Sequence, residues 1–111
     1  MEPTVVGLAE AIDRRRELHR QLVRVRGVLR MDFEGWELRP LDGQLKPPPE
    51  AKLWIDLGFV PQSKWKSYRD EFHRYPVEVV ATLNADDHGH MSLYPAALRN
   101  VKSVTRFKSD A

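Results

Sequence analysis

The chain has 111 residues, 41% hydrophobic and 31% charged, which is typical of one globular domain rather than a disordered segment. It has no cysteine, which excludes disulfides, thiolate metal sites and cysteine nucleophiles. The formal net charge of +2 is too small to indicate a nucleic-acid partner by itself. No apolar run approaches the roughly 20 residues of a membrane helix, and the N-terminus lacks the pattern of a secretory signal. We therefore expect a cytoplasmic protein with no membrane partner.

The first predicted elements are a helix and a long strand. Apolar residues at helical spacing predict an amphipathic helix from Val5 to His19, and we expect residues 1–20 to pack on the rest of the domain. A strand follows from Gln21 to Met31, in which valines alternate with arginines. Gly27 interrupts it, and a glycine inside a strand marks a bulge, a bend or the close approach of another backbone. A strand that bends there joins two sheets, as in small closed barrels.

The rest of the chain predicts four more strands and a second helix. A proline-rich loop, Pro40 to Glu50, is excluded from the strands because its prolines lack an amide donor. The predicted elements are a strand over Asp32 to Arg39, a strand over Ala51 to Leu57, a short helix within Pro61 to Arg74, a strand over Tyr75 to Leu83, a polar turn over Asn84 to His90, a return to extended chain over Met91 to Tyr94, and a strand over Leu98 to Phe107. The inward positions of these runs predict a core that includes Val23, Val25, Leu53, Ile55, Val79 and Val101.

This order predicts a mainly β fold with a five-stranded barrel. A first strand bent at glycine and a helix between the third and fourth strands match the oligonucleotide/oligosaccharide-binding (OB) barrel, so we expect residues 1–111 to form one OB-like domain. The chain also resembles an uncharacterised family of small bacterial OB-like proteins over Leu8 to Arg106. The residues that carry the resemblance are Arg26 to Leu29, Phe33 to Gly35, Leu53 to Leu57, Gly89 to Met91 and Arg99 to Val101. The resemblance implies the fold and no established activity.

Candidate binding residues lie on the first three strands of the barrel. Arg24, Arg26 and Arg30 supply positive charge on the first strand, and Trp36 and Trp54 supply aromatic surface if they are exposed. Tryptophans are more often buried in a core, so both interpretations stay open. We expect acidic residues of the second strand to face these arginines and to cancel much of their field.

Glu34 and the histidine turn each have two interpretations. Glu34 either pairs with an arginine of the first strand, such as Arg26 or Arg30, which we favour, or belongs to a ligand site on the barrel face. Near His90 the sequence Asp86-Asp87-His88 supplies possible metal ligands. The spacing matches no recognised metal motif. We therefore predict no metal site, and a histidine ring that hydrogen-bonds the turn.

Two classes of function remain after the motifs of enzymes are considered. The sequence has no nucleophile elbow, phosphate loop or dinucleotide fingerprint, so we expect no enzymatic activity and no cofactor. The first class is a protein-binding module that uses the barrel face and the proline-rich loop, with Trp36 and Trp54 as aromatic anchors. The alternative is a single-stranded nucleic-acid binder that uses Arg24, Arg26 and the tryptophans for charge and stacking. The sequence favours the protein partner and does not predict the oligomeric state.

Overall fold

A computed structural model describes residues 2–32, 35–41, 52–58 and 60–107. Its strands are β1 (Thr4–Val6), β2 (Leu22–Asp32), β3 (Gly35–Arg39), β4 (Leu53–Ile55), β5 (Pro76–Asn84) and β6 (Ala97–Arg106). Its α-helices are α1 (Leu8–Asp13), α2 (Arg15–Leu18) and α3 (Trp65–Phe72), and short 3-10 turns cover Gln62–Lys64 and His90–Ser92. Within these ranges no helix is long and apolar enough to cross a membrane.

Five of the strands close into a barrel. The neighbours run β2–β3–β4–β6–β5, and β5 pairs back with β2 to complete the circle. All of these pairs are antiparallel except β4 with β6, which is parallel. The helix α3 lies between β4 and β5 in the chain, and helices also precede the barrel. The predicted mainly β class, the five-stranded barrel and the two helical regions are therefore confirmed.

The long strand β2 serves two parts of the barrel because it changes neighbours near its middle. Residues Leu22 to Val28 pair with β5, whereas Val28 to Asp32 pair with β3. At the changeover a Cβ on Gly27 would lie 2.6 Å from the carbonyl oxygen of Arg39 and 2.7 Å from a side-chain carbon of Leu38. Of the three alternatives that the sequence left open for this glycine, close approach of another backbone is the one observed.

The core fills the barrel and extends under the helices. Five of the six predicted core residues are fully buried, and they come from β2, β4 and β5: Val23, Val25, Leu53, Ile55 and Val79. The prediction for Val101 is wrong, because this residue is half-buried and packs at the margin of the core. It follows Asn100, whose φ of +50° interrupts β6 at a register shift against β5 and turns the strand locally.

The N-terminal segment is less helical than predicted. Thr4–Val6 forms β1, which pairs in parallel with β2, instead of the first turn of a helix. The β-branched pair Val5-Val6 favours a strand, and Gly7 separates it from α1. The helix is then divided at Arg14, whose guanidinium bridges Glu10 at 2.7 Å and Glu17 at 2.6 Å.

The segment between β5 and β6, residues 85–96, is called the β5–β6 loop below. The predicted extended chain over Met91 to Tyr94 is wrong, because a 3-10 turn at His90–Ser92 occupies this position. Gly89, Met91 and Ser92 all have positive φ, at 66°, 56° and 56°, which is incompatible with a strand. The other strand and helix boundaries differ from the predicted ones by a few residues. Ala51 and the loop residues 42–50 lie outside the described residues.

Candidate binding site

A row of aromatic rings connects β3 and β4 with α3 and the β5–β6 loop. We call Trp65, Trp36, Trp54 and His90 the aromatic row. The ring centroids of Trp65 and Trp36 are 5.2 Å apart with nearly perpendicular planes, at 84°. Trp36 and Trp54 follow at 6.4 Å with planes 18° apart, and Trp54 and His90 at 6.3 Å with planes 23° apart. The four rings are therefore in successive contact, three of them indoles and the last an imidazole.

The rings come from four different parts of the chain. Trp36 is the second residue of β3, and Trp54 is the middle residue of β4, opposite Glu37 in register. Trp65 begins α3, and its indole N–H donates to the carbonyl of Val60 at 2.9 Å. Trp36 and Trp54 are half-buried, whereas Trp65 is 39% exposed. The question whether the two predicted tryptophans are core or surface therefore has an intermediate answer: both are half-buried, and Trp36 packs against the hydrophobic core.

The β5–β6 loop fixes one end of the row. A Cβ on Gly89 would lie 2.6 Å from Trp54 and 2.8 Å from Tyr94, so the backbone of the loop sits directly against these rings. The Tyr94 ring packs against Trp54 with centroids 5.5 Å apart. His88 Nδ1 bonds the carbonyl of Tyr94 at 2.9 Å, which holds the loop closed.

A buried carboxylate lies beneath this loop. Glu37 on β3 is the one buried charged residue in the described part of the chain. It accepts hydrogen bonds from the Tyr94 hydroxyl, at 2.8 Å, and from the Arg39 guanidinium. Burial alone would raise the pKa of Glu37, but these hydrogen bonds and the charges of Arg39 and Lys52 outweigh it and hold the pKa below its usual value. Glu37 is therefore an ionised anchor for the loop.

The arginines of β2 face a different acid from the one predicted. Arg24 and Arg26 both bind Glu78 on β5, at 2.5 Å and 3.0 Å, rather than acidic residues of the second barrel strand. The prediction is wrong for these two residues because β2 pairs with β5, not β3, along this part of its length. Hydrogen bonds from both arginines lower the pKa of Glu78. Glu78 thus compensates one of the two positive charges, since both guanidinium groups share its carboxylate.

Two predicted site residues are still to be placed, Arg30 and Glu34. Arg30 is half-buried and opposes Glu37 in register, as expected for an arginine that faces the second barrel strand. Glu34 and Phe33 lie outside the described residues. The structure thus brings Trp36, Trp54 and His90 together and places Arg24 and Arg26 on another face.

The histidine turn is held by hydrogen bonds and ion pairs. Asp86 binds Arg16 at 2.6 Å, and Asp87 binds Arg99 and accepts from the backbone N–H of Gly89 at 2.9 Å. In residues 2–32, 35–41, 52–58 and 60–107, no group of three or more His, Asp or Glu side chains is placed to hold a metal ion. His88 bonds the loop backbone, as predicted for one of these rings.

Three residues of the site were missed at the level of sequence. Trp65 was assigned to a helix without a role at the surface, and Tyr94 to an extended segment. Gly89 carries the one signal that was available, a glycine in a polar turn, but a turn signal does not reveal which ring the backbone will touch. These contacts depend on tertiary structure.

Comparisons with known proteins identify similar folds. No protein-family model matches the chain, and no curated protein matches its sequence significantly. A crystal structure of a DUF3299 family protein from Pseudomonas aeruginosa PAO1 is similar over 100% of both chains, with a TM-score of 0.62 and 12% identity. A protein assigned as an aspartyl-tRNA synthetase from Leishmania major Friedlin matches 96% of this chain but 22% of its own, with a TM-score of 0.51 and 19% identity.

These likenesses concern the fold alone, because both identities are low. The first neighbour belongs to an uncharacterised bacterial family, which agrees with the expected resemblance to such a family at that coarse level. The residue pattern quoted for the resemblance stays a prediction.

Proposed function

We propose that the protein is a non-enzymatic binding module, cytoplasmic in location, whose aromatic row is the docking surface for a protein partner. The observation that carries this proposal is the continuity of Trp65, Trp36 and Trp54 across β3 and β4. Tryptophan is enriched at the centres of protein interfaces because it buries a large area with few rotatable bonds. The proline-rich loop belongs to this proposal because of its sequence. Its residues 42–50 lie outside the described residues.

The distribution of charge favours a protein over a nucleic acid. Affinity for nucleic acid depends on cations that neutralise phosphates and release counterions. Arg24 and Arg26 already bind Glu78, and Arg39 beside the row already binds Glu37. Phosphates would have to compete with these carboxylates.

We further propose that the barrel is of the OB type. Two expected features support this: the first barrel strand changes neighbours at Gly27, and a helix lies between the third and fourth barrel strands. In OB folds the second and third strands and the loop between the fourth and fifth contribute to binding. Trp36, Trp54 and His90 lie at the corresponding places.

Site-specific photocrosslinking tests the protein partner. A photoreactive residue at position 65, in the row, is compared with one at position 5, on β1, in the cells that make the protein. Val5 is a suitable control because it is apolar and 74% exposed but belongs to a different element. We expect a protein adduct from position 65 and none from position 5, with mass spectrometry to identify the crosslinked chain. Equal adducts from both positions would contradict a specific surface.

The rival function, binding of single-stranded nucleic acid, has its own experiment. The half-buried tryptophan rings favour this function because bases stack on tryptophan, with about 1–3 kcal/mol for each base. Fluorescence polarisation with labelled single-stranded DNA and RNA over a salt series measures this affinity. Micromolar binding near physiological salt that is lost in Trp54→Ala, with the fold intact, would replace the protein partner as the proposed function.

A further inference from the structure

We propose that the outer side of β6 binds an extended, acidic segment of another protein, which adds to the barrel as a further strand. The side of residues 100–106 that faces away from β5 is called the β6 edge below. The β6 edge contains no residue of the aromatic row, so it is a second surface and is independent of the proposed function.

The strand β4 covers the beginning of β6 and then ends. Its last pair with β6 is Ile55 with Leu98, and the amide of Asp56 donates to the carbonyl of Leu98 at 2.9 Å. The strand β6 continues to Arg106 beside β5. In the part of the chain that the structure describes, no strand pairs with the outer side of β6 beyond Leu98.

The backbone groups that point out of the β6 edge follow from the hydrogen bonds on its other side. Successive residues of an antiparallel strand direct their N–H and C=O groups alternately to the two sides. The amide of Phe107 donates to the carbonyl of Pro76 at 3.3 Å, so Phe107 is directed towards β5. The register against β5 is continuous from Ser103 to Arg106. The N–H and C=O groups of Val104 and Arg106 therefore face away from β5.

These backbone groups recognise a strand. Donors and acceptors in a row along one side of a strand are a template for another extended chain. In such pairing the main chain supplies affinity, and the side chains of the two strands supply specificity. The side chains of Ser103 and Thr105 are exposed and that of Val104 is half-buried, so an extended segment can reach the β6 edge from solvent.

The strand β6 carries excess positive charge. It contains Arg99, Lys102 and Arg106 and no acidic residue. Arg99 is compensated by Asp56, at 3.2 Å, and by Asp87. The guanidinium of Arg106 instead lies over an aromatic ring, 3.7 Å from its centroid, and Lys102 is exposed. No carboxylate of the described residues forms an ion pair with Lys102 or Arg106.

The neighbouring strands do not cancel this charge. The strand β5 contributes one acidic residue, Glu78, which lies opposite Thr105 in register. Its two carboxylate oxygens already bind Arg24 and Arg26. The guanidinium of Arg26 also lies over the ring of Phe107, 4.5 Å from its centroid, just beyond the end of β6. An anionic segment on the β6 edge would therefore meet uncompensated cations.

Charge and backbone together select the occupant. A second copy paired through the same edge would bring Lys102 and Arg106 of both chains together, and like charges on paired strands are destabilising. A nucleic acid would satisfy the cations, but the outward carbonyls of Val104 and Arg106 would repel its phosphates. An acidic segment of extended protein chain satisfies the cations, the amides and the carbonyls at once.

Amide hydrogen exchange of the full chain tests whether the β6 edge is open. We expect the amides of Val104 and Arg106 to exchange at least about tenfold faster than those of Ser103 and Thr105, which face β5. Equal protection of all four amides would overturn the proposal, because it would show that the edge is already paired.

A synthetic peptide of alternating glutamate and valine, about eight residues long, is the probe for binding. We expect it to slow the exchange of the Val104 and Arg106 amides. It should bind at least about tenfold more tightly than a lysine–valine peptide of the same length. The glutamate–valine peptide with all its amides N-methylated cannot donate to a strand and should lose affinity by a similar factor. Equal binding of the three peptides, or none up to about 1 mM, would contradict the proposal.

Two variants of the protein separate the β6 edge from net charge. Lys102→Glu should weaken binding of the glutamate–valine peptide at least about tenfold. Lys66→Glu is the matched control, because it makes the same charge change at a lysine of α3 whose side chain is 92% exposed. It should leave the affinity unchanged, and circular dichroism confirms the fold of both variants. Equal losses in the two variants would mean that the peptide does not recognise the β6 edge.

Two further results would replace the acidic segment by another occupant. Protection of Val104 and Arg106 that increases with protein concentration, with no peptide present, would identify a second copy of the chain. A labelled oligothymidylate that binds more tightly than the glutamate–valine peptide, and less tightly to Lys102→Glu, would identify a nucleic acid. Crosslinking from position 65 reports on the aromatic row, so failure at the β6 edge is distinguishable from failure of the proposed function.

Discussion

Two outer faces of the same barrel differ in how their polar groups are satisfied. On the β2–β5 face, Arg24 and Arg26 converge on Glu78, so one of two positive charges is compensated at the surface. On the β3–β4 face, Glu37 is buried under the β5–β6 loop, opposite Trp54 of the aromatic row. The first face offers a ligand mainly charge, whereas the second retains apolar area whose burial would be favourable.

The comparison also separates two uses of an ion pair. Surface pairs such as those of Glu78 contribute little to stability because water screens them. In the pair of Glu37 and Arg39 the carboxylate is buried and the guanidinium is exposed. The same carboxylate accepts from Tyr94 of the β5–β6 loop, so its importance lies in position rather than in net energy. Mutations on the β2–β5 face should therefore change stability little, whereas mutations around Glu37 should disturb how the β5–β6 loop is held.

The largest expected effect comes from the barrel that both faces share. Val25→Asp places an unpaired carboxylate in the core between β2 and β5, and we expect a loss of about 4 kcal/mol or more in the free energy of unfolding. Urea denaturation measures it. Val5→Asp, at an exposed valine, should change stability by no more than about 0.5 kcal/mol. If Val25→Asp unfolds like the parent, the register of β2 is wrong.

The next largest effect is expected at Gly89. Its φ of 66° and the 2.6 Å approach to Trp54 leave no room for a methyl group. Gly89→Ala should destabilise the protein by about 1–3 kcal/mol and change the fluorescence of the tryptophans. Gly7→Ala is the control, because a Cβ there would meet nothing within 4 Å. A Gly89→Ala protein with unchanged stability and fluorescence would show that the loop does not rest on Trp54.

An effect of similar size, but with a defined pH dependence, is expected for Tyr94→Phe. The variant leaves one oxygen of buried Glu37 without its donor, at a cost of about 1–3 kcal/mol near neutral pH. Because folding lowers the pKa of Glu37, its ionisation stabilises the protein above the unfolded-state pKa of about 4.3, and this contribution is lost as pH falls through the folded-state pKa.

The measurement is a pair of urea denaturation series, parent and Tyr94→Phe, from neutral to acid pH. The difference in unfolding free energy between the two proteins should shrink on acidification. Other carboxylates with lowered pKa, such as Glu78, affect both proteins equally and cancel in the difference. A difference that is constant with pH would mean that the hydroxyl does not support an ionised Glu37.

The smallest effect is expected on the β2–β5 face. Arg24→Ala removes one of two partners of Glu78 and should cost about 0–1 kcal/mol. It should leave crosslinking from position 65 unchanged, since Arg24 is not part of the aromatic row. Loss of crosslinking in Arg24→Ala, with the fold intact, would make the arginine face the binding surface and reverse the comparison.

The sequence predicted the barrel well because its strands carry local signals. Alternation in β2 identifies Val23 and Val25 as core residues, and the glycine between them and Leu29 marks the changeover. The pairing of Arg24 with Glu78 was not predictable in this way, since it depends on which strand lies beside each half of β2. Residues 54 positions apart acquire their relation when the barrel closes.

The site was predicted in part for the same reason. The sequence predicts Trp36 and Trp54 as aromatic candidates, and the neighbouring strands β3 and β4 bring their rings together. Trp65 and Tyr94 join them through α3 and the β5–β6 loop, whose paths no local pattern determines. Within this loop the sequence predicts a polar turn up to His90 and extended chain only over Met91 to Tyr94. The second prediction fails because the left-handed conformations of Met91 and Ser92 have no sequence signal at non-glycine residues.

The parallel junction of β4 with β6 has a consequence for local unfolding. It consists of two residue pairs, Trp54 with Ala97 and Ile55 with Leu98. The amide of Trp54 donates to the carbonyl of Ala96 at 3.2 Å, and the amide of Asp56 donates to that of Leu98 at 2.9 Å. So short a junction, equal in length to that of β3 with β4, is a natural place for a sub-global opening that exposes these amides to exchange with solvent. Since Trp54 belongs to both the junction and the aromatic row, anything that docks on the row should slow this exchange and hold the barrel shut.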